Sequence, residues 1–209
     1  MSLSRNAIGR VSTILLGALM SVGAGCTPPA ELPPQTTSQL ANLRDGALAA
    51  KAQVQAATNS AKDLLDQPRQ DLGPQIDRLK SNVATLNATR NQGREQISSF
   101  QKSSAAYFQK WDDLVNDMSA ETAEKGQERM EKAKESLSRL QEDINDIRTQ
   151  ATPYMGDLNE ATNYLATDTT NSGLDVVRPK LKSAVEREPA VLKGLDRLVA
   201  DIDSIRAGR

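Results

Sequence analysis

Leu40, Leu43, Ala47, Ala50, Val54, Ala57, Ala61 and Leu64 recur at alternating steps of three and four residues, which lays them in one stripe along an α-helix. The middle of that stripe is all small side chains. Alanines there let a neighbouring helix approach closely, so the segment is expected to pack into a bundle rather than to form a coiled coil by itself. The stripe stops near Pro68, and Gly73-Pro74 offers a restart, because proline fits the first turn of a helix but breaks its interior. Ile76, Leu79, Val83 and Leu86 open a second stripe that fades over Arg90 and Gly93, a bend or polar layer, and resumes with Ile97, Phe100, Tyr107, Trp111, Leu114 and Met118. Ser119 to Gly126 has no apolar anchor. A turn is expected there, the alternative being a helix that runs on with shifted register, because one helix through both segments would exceed about 100 Å at 1.5 Å per residue. A third stripe runs from Met130 through Leu137, Leu140, Ile144, Ile147, Tyr154 and Leu158 to Leu165, with a kink expected at Pro153. Thr167 to Gly173 reads as a loop. The last stripe, from Leu174 to Ile205, skips Glu188 and holds Pro179 and Pro189, so its helix is expected to be bent or split near Glu188. The fold class is all-α: an elongated, spectrin-like antiparallel bundle of four helices, the middle two longer than the outer two.

Upstream of these stripes the pattern changes. Arg5 and Arg10 flank an uncharged, mostly apolar run from Val11 to Val22, followed by small residues at 23–25. That order is an export signal, and the run is well short of the roughly 20 residues a membrane-spanning helix requires. Val22-Gly23-Ala24-Gly25-Cys26 resembles the lipobox of bacterial lipoproteins, with Gly23 where that family usually has leucine. The resemblance implies that the Cys26 thiol receives a diacylglycerol, that cleavage precedes it, and that the new amine is acylated with a fatty acid such as palmitate. The alternative is ordinary cleavage near Gly25, leaving a soluble chain with one spare thiol. Pro28, Pro29, Pro33 and Pro34 fit an extended tether, about 30 Å over ten residues. The expected organisation is a signal peptide at 1–25, a lipid-anchored tether at 26–37 and a helical domain at 38–208. Thr27 stands where an aspartate would direct inner-membrane retention in enteric bacteria, which favours the outer membrane.

Composition narrows the chemistry. The chain has 26 basic and 27 acidic residues, which gives no general attraction to nucleic acid. It has no histidine, so a Ser-His-Asp triad and the Glu-x-x-His pairs of bundle di-iron sites are excluded. The one cysteine sits at the lipid position, which removes thiol catalysis, cysteine zinc sites and an internal disulfide. No P-loop is present. Neither a metal nor another cofactor is expected, and the acidic clusters Asp112-Asp113 and Glu142-Asp143-Asp146 read as solvated helix faces. Catalysis is not expected.

Phe100, Tyr107, Phe108 and Trp111 are four of the six aromatic residues and lie within twelve positions. They read as a thick point in the core, or as a patch for a partner or an apolar ligand. The run from Glu124 to Ser136 reads as a solvated face supported by pairs such as Glu128 with Lys132. Tyr107-Phe108-Gln109-Lys110-Trp111, the Ser119-Ala120-Glu121-Thr122 break, the long heptad helix, Pro153-Tyr154-Met155 and the Leu-rich closing helix resemble a family of exported bacterial helical proteins, catalogued as domain of unknown function twenty-nine fifty-nine. The resemblance covers about the last half of the chain and implies an envelope protein without catalytic residues. The chain ends Ala207-Gly208-Arg209, without the terminal lysine through which the major murein-linked lipoprotein joins peptidoglycan. The expected function is that of a lipid-anchored spacer or interaction module that meets an envelope protein or a second copy of itself. The competing expectation is a carrier or sensor of an apolar ligand seated near Phe108 and Trp111.

Overall fold

Four helices account for nearly all of the described residues: α1 (Pro34–Asp66), α2 (Gly73–Asn116), α3 (Ala120–Leu165) and α4 (Asn171–Arg206). The computed structural model describes residues 34–117 and 119–207. The expected signal peptide, Cys26 and most of the tether lie outside them. The expected order of lengths holds, at 33, 44, 46 and 36 residues.

Each helix runs antiparallel to the next. Gln39 of α1 bonds Ser103 of α2 while Ser60 bonds Asn82. Asn87 and Gln101 of α2 meet Asn159 and Gln141 of α3. Lys180 and Arg197 of α4 pair with Glu160 and Asp146 of α3. The square closes where Arg44, Lys51 and Lys62 of α1 reach Asp203, Asp196 and Glu188 of α4 at 2.7, 2.6 and 3.0 Å. The α2–α3 edge is the most sparsely packed of the four. Charged ladders line the other side of the bundle, whereas among the described residues α2 and α3 are joined by neutral amides and one ion pair, Lys134 to Asp112 at 3.7 Å.

The stripes are the core. Leu40, Leu43, Ala47, Val54, Ala57, Ala61 and Leu64 are buried, as are Leu79, Leu86, Leu140, Leu158, Leu181 and Ile202 from the other three helices. Tyr154 crosses the centre from α3 to the diagonally placed α1, where its hydroxyl lies 2.9 Å from Thr58 Oγ1 and donates to the Val54 carbonyl at 3.0 Å.

Several boundaries differ from the sequence expectation. Helix α1 begins at Pro34, within the segment assigned to the tether. Helix α2 ends at Asn116 and α3 begins at Ala120, and Glu121 to Gly126 is helical because Ser119, in extended conformation, starts the helix with its carbonyl accepting from Ala123 N–H. At the next loop Thr170 caps α4 by accepting from Gly173 N–H, itself held by Asp168, so helix resumes at Asn171. Helix α4 is continuous rather than split at Glu188. Glu188 occupies the core position, 9 % exposed, with its charge met by Lys62. Asp143 likewise departs from the solvated face expected of it: it is 8 % exposed against α4, while Asp112, Asp113, Glu142 and Asp146 are exposed.

Candidate functional site

The fading of the second stripe has a three-dimensional counterpart. Positions 83, 86, 90, 93, 97 and 100 keep the heptad rhythm, but the middle two are Arg90 and Gly93. Opposite them α1 supplies Gly46, Ala47 and Ala50, and α3 supplies Ala151. Small side chains on three helices at the same level leave a void of about 160 Å³, closed on the fourth side by Val191, Leu195 and Leu198 of α4. A Cβ placed on Gly93 would meet nothing within 4 Å. Sealed and empty, a void of that size would cost about 4 kcal/mol at about 24 cal/mol per Å³.

The walls are mostly apolar, with Leu43, Val54, Leu86, Ile144 and Leu195 among the buried side chains that form them. Arg90 and Arg94 of α2 and Arg148 of α3, helices that meet at the most loosely packed edge, complete the lining. Arg90 is half-buried, and burial first and then the charge of Arg94 pull its pKa below the usual guanidinium value. Arg148 has one weak contact, to Asn145 Oδ1 at 3.4 Å.

Phe100, Tyr107, Phe108 and Trp111 do not line this cavity; the aromatic side chain that does is Tyr154. Phe100 is a core residue, 4 % exposed. Tyr107, Phe108 and Trp111 lie farther along α2, half-buried, with ring centroids 5.4 Å (Tyr107–Phe108) and 5.3 Å (Tyr107–Trp111) apart. Lys134 Nζ sits 5.6 Å from the centre of the Phe108 ring, and burial raises the Tyr107 pKa. The space between the helices that Leu43, Leu86 and Ile144 line therefore lies away from Phe108 and Trp111.

What surrounds these rings is set by helix length. Gln39 is level with Ser103, so α1 has ended by about residue 108 of α2; Arg197 is level with Asp146, so α4 has ended by about residue 137 of α3. Beyond those levels α2 and α3 continue as a two-helix extension of about 15–20 Å. In a pair of helices only the facing side is covered. Val115 and Met130 are buried there, separately from the main core cluster, and Leu114, at a stripe position, is 60 % exposed. The Glu124–Ser136 run is a solvated face, with Lys132 2.7 Å from Glu128.

The family described as Protein of unknown function (DUF2959) matches residues 36–205. The chain belongs to this family. The resemblance seen from Tyr107 onward thus extends over all four helices, and the DUF2959 match contains the cavity, its arginines and the aromatic extension, while Cys26 lies before it. No curated protein and no solved structure matches the chain. In this DUF2959 member, among the described residues, no group of three His, Cys, Asp or Glu side chains is placed to hold a metal ion, and no helix is long and apolar enough to cross a membrane. What the arrangement offers is binding: an apolar hole with cationic edges, and a projecting pair of helices.

Proposed function

We propose that the protein is a lipid-anchored component of the bacterial cell envelope that acts without catalysis, as a helical spacer whose α2–α3 extension meets a partner. The observation that carries this reading is the extension itself, which projects beyond the four-helix body and bears half-exposed aromatic rings and the exposed Leu114. Pro34 enters the bundle at the same end. With acyl chains on Cys26, the link from Cys26 to Pro34 reaches at most about 29 Å, so the extension would face the membrane and the loops at 67–72 and 166–170 would stand about 50 Å farther out. Between Phe108 and Ala133 there are four basic and seven acidic residues, a balance that suits a basic protein surface better than an anionic lipid surface.

A photo-crosslinking side chain at Leu114 tests the reading against one at Val176, equally exposed on α4 near the opposite end. The expected outcome in cells is a discrete crosslinked envelope protein or a second copy from position 114 alone, weakened when Cys26→Ala removes the anchor. Equal or absent crosslinking at both positions sinks it.

A second reading, a carrier or sensor of an apolar ligand, is supported by the interhelical cavity rather than by the aromatic residues.

A further inference from the structure

Many basic side chains of the bundle meet acids, among them Arg44 with Asp203, Lys51 with Asp196, Lys62 with Glu188, Lys180 with Glu160 and Arg197 with Asp146, while others, such as Lys80, Lys102, Lys182 and Lys193, stand exposed in solvent. Arg90, Arg94 and Arg148 are distinguished by their place: all three line the apolar cavity, and none of the three forms an ion pair within 4 Å. Arg90 is half-buried with a second guanidinium beside it, an arrangement that an incoming anion would relieve.

Behind the arginines the lining is mostly apolar: Thr89 and Thr152 spend their hydroxyls on backbone carbonyls one turn back and Tyr154 is held by Thr58 and the Val54 carbonyl, which leaves the Gln96 amide as the one uncharged polar side chain of the lining without such a bond. Water in such a space requires two to four hydrogen-bonding partners, and an apolar cavity of about 150 Å³ stays dry and accepts small apolar molecules. A small inorganic anion would satisfy the arginines and leave the hole empty. A neutral hydrocarbon would fill the hole and leave the arginines unmatched.

We propose that the cavity holds a single acyl chain ending in an anionic oxygen group, the chain lying among Leu43, Leu86, Ile97, Ile144 and Leu195 and the head meeting Arg90, Arg94 and Arg148. This inference rests on the ligand-carrier reading and specifies its ligand. The head is a carboxylate, as in a fatty-acid anion, or a phosphate, as in a lysolipid. Entry is along the α2–α3 edge, where the fewest contacts have to part.

Titration of the purified full chain with dodecanoate, dodecyl phosphate and dodecanol, followed by calorimetry, tests it. At least one of the two anionic probes is expected to bind ten-fold or more tightly than dodecanol, and the tighter of the two identifies the head. The double variant Arg90→Gln/Arg94→Gln should lose about ten-fold for the anionic probes and nothing for dodecanol. Gly93→Leu, directed into the void, should weaken all three at least ten-fold while circular dichroism shows the bundle intact. Equal affinity for alcohol and anions, or no response to the arginine changes, overturns the anionic head while leaving the carrier reading in place. Full affinity in a folded Gly93→Leu variant places the chain outside the cavity and overturns the inference. No binding of any probe overturns both.

Discussion

The Tyr154 hydroxyl is a polar group at the centre of an apolar layer, and it is satisfied twice, by Thr58 and by the Val54 carbonyl. Tyr154→Phe keeps the ring and removes both hydrogen bonds, so unfolding by urea should show a loss of about 1–2 kcal/mol with unchanged slope. Burial pushes the phenol up to about 12. Its folded value lies above that of the unfolded chain, so this stabilising contribution is complete below about pH 10 and is lost as pH rises towards 12. Asp143 has the same sign in a different window. Its carboxyl is buried, its Oδ2 has no donor, and Asp201 faces it, while Arg197 is 3.9 Å away. Burial first, and then Asp201, raise it from 3.8 to about 6 against the opposing pull of Arg197, with Asp146 adding to the rise. Between about pH 4 and 6 the unfolded chain gives up this proton before the folded one does, so stability falls as pH rises. Asp143→Asn should flatten that fall and add of order 1 kcal/mol at pH 7, a rise in Tm of about 2–4 °C, read from thermal melts at pH 4, 5, 6 and 7.

At the scale of the helix, Glu188 and Gly93 are two breaks in otherwise regular heptads, and they break in opposite ways. Glu188 puts a charge where α4 would carry an apolar knob, held by the half-exposed Lys62 at 3.0 Å. Lys62→Met strands the buried carboxylate and should cost about 2–3 kcal/mol, whereas Glu188→Leu completes the stripe and should be neutral or stabilising; urea titration of the two variants checks the asymmetry. Gly93 leaves out a side chain, and Gly93→Ala should stabilise α2 by up to about 1 kcal/mol because its Cβ meets open space. Both breaks were visible in the sequence as a skipped and a faded position. Their consequences were not. The alternation of three and four fixes which side of each helix faces inward, so the apolar positions from Leu40 to Leu64 and from Leu174 to Ile205 were legible, although the unbroken run of α4 through Glu188 was not. Whether Arg90 and Gly93 meet a bend, a polar layer or a void depends on which residues of α1 and α3 stand at the same level, and periodicity within one helix is silent on that. The same limit explains Leu114, which keeps the rhythm of the stripe but is exposed, because rhythm does not report that α1 and α4 have already ended.

The described residues therefore divide along the length of the bundle into a four-helix body and a two-helix extension, and the division has a thermodynamic consequence. The main core cluster reaches only as far as Phe100 on α2 and Leu137–Leu140 on α3; Val115 and Met130 are buried outside it. Two buried side chains contribute about 3–6 kcal/mol on area grounds, against of order 1 kcal/mol or more of backbone entropy for each residue ordered in the extension. The extension cannot fold on that balance alone and depends on the body to nucleate its helices, whereas the body takes little from the extension. Removing residues 109–133 and closing α2 to α3 with a short glycine turn should leave a cooperative bundle whose Tm falls by no more than a few degrees. Such a chain should keep the cavity, whose lining extends no farther than Ile97 on α2 and begins at Ile144 on α3, and with it the binding of dodecanoate. It should lose any partner captured through position 114. Thermal melts and calorimetry on the shortened chain separate the two: loss of both stability and dodecanoate binding would mean that the extension is integral to the core, and that the body and the extension are one device rather than two.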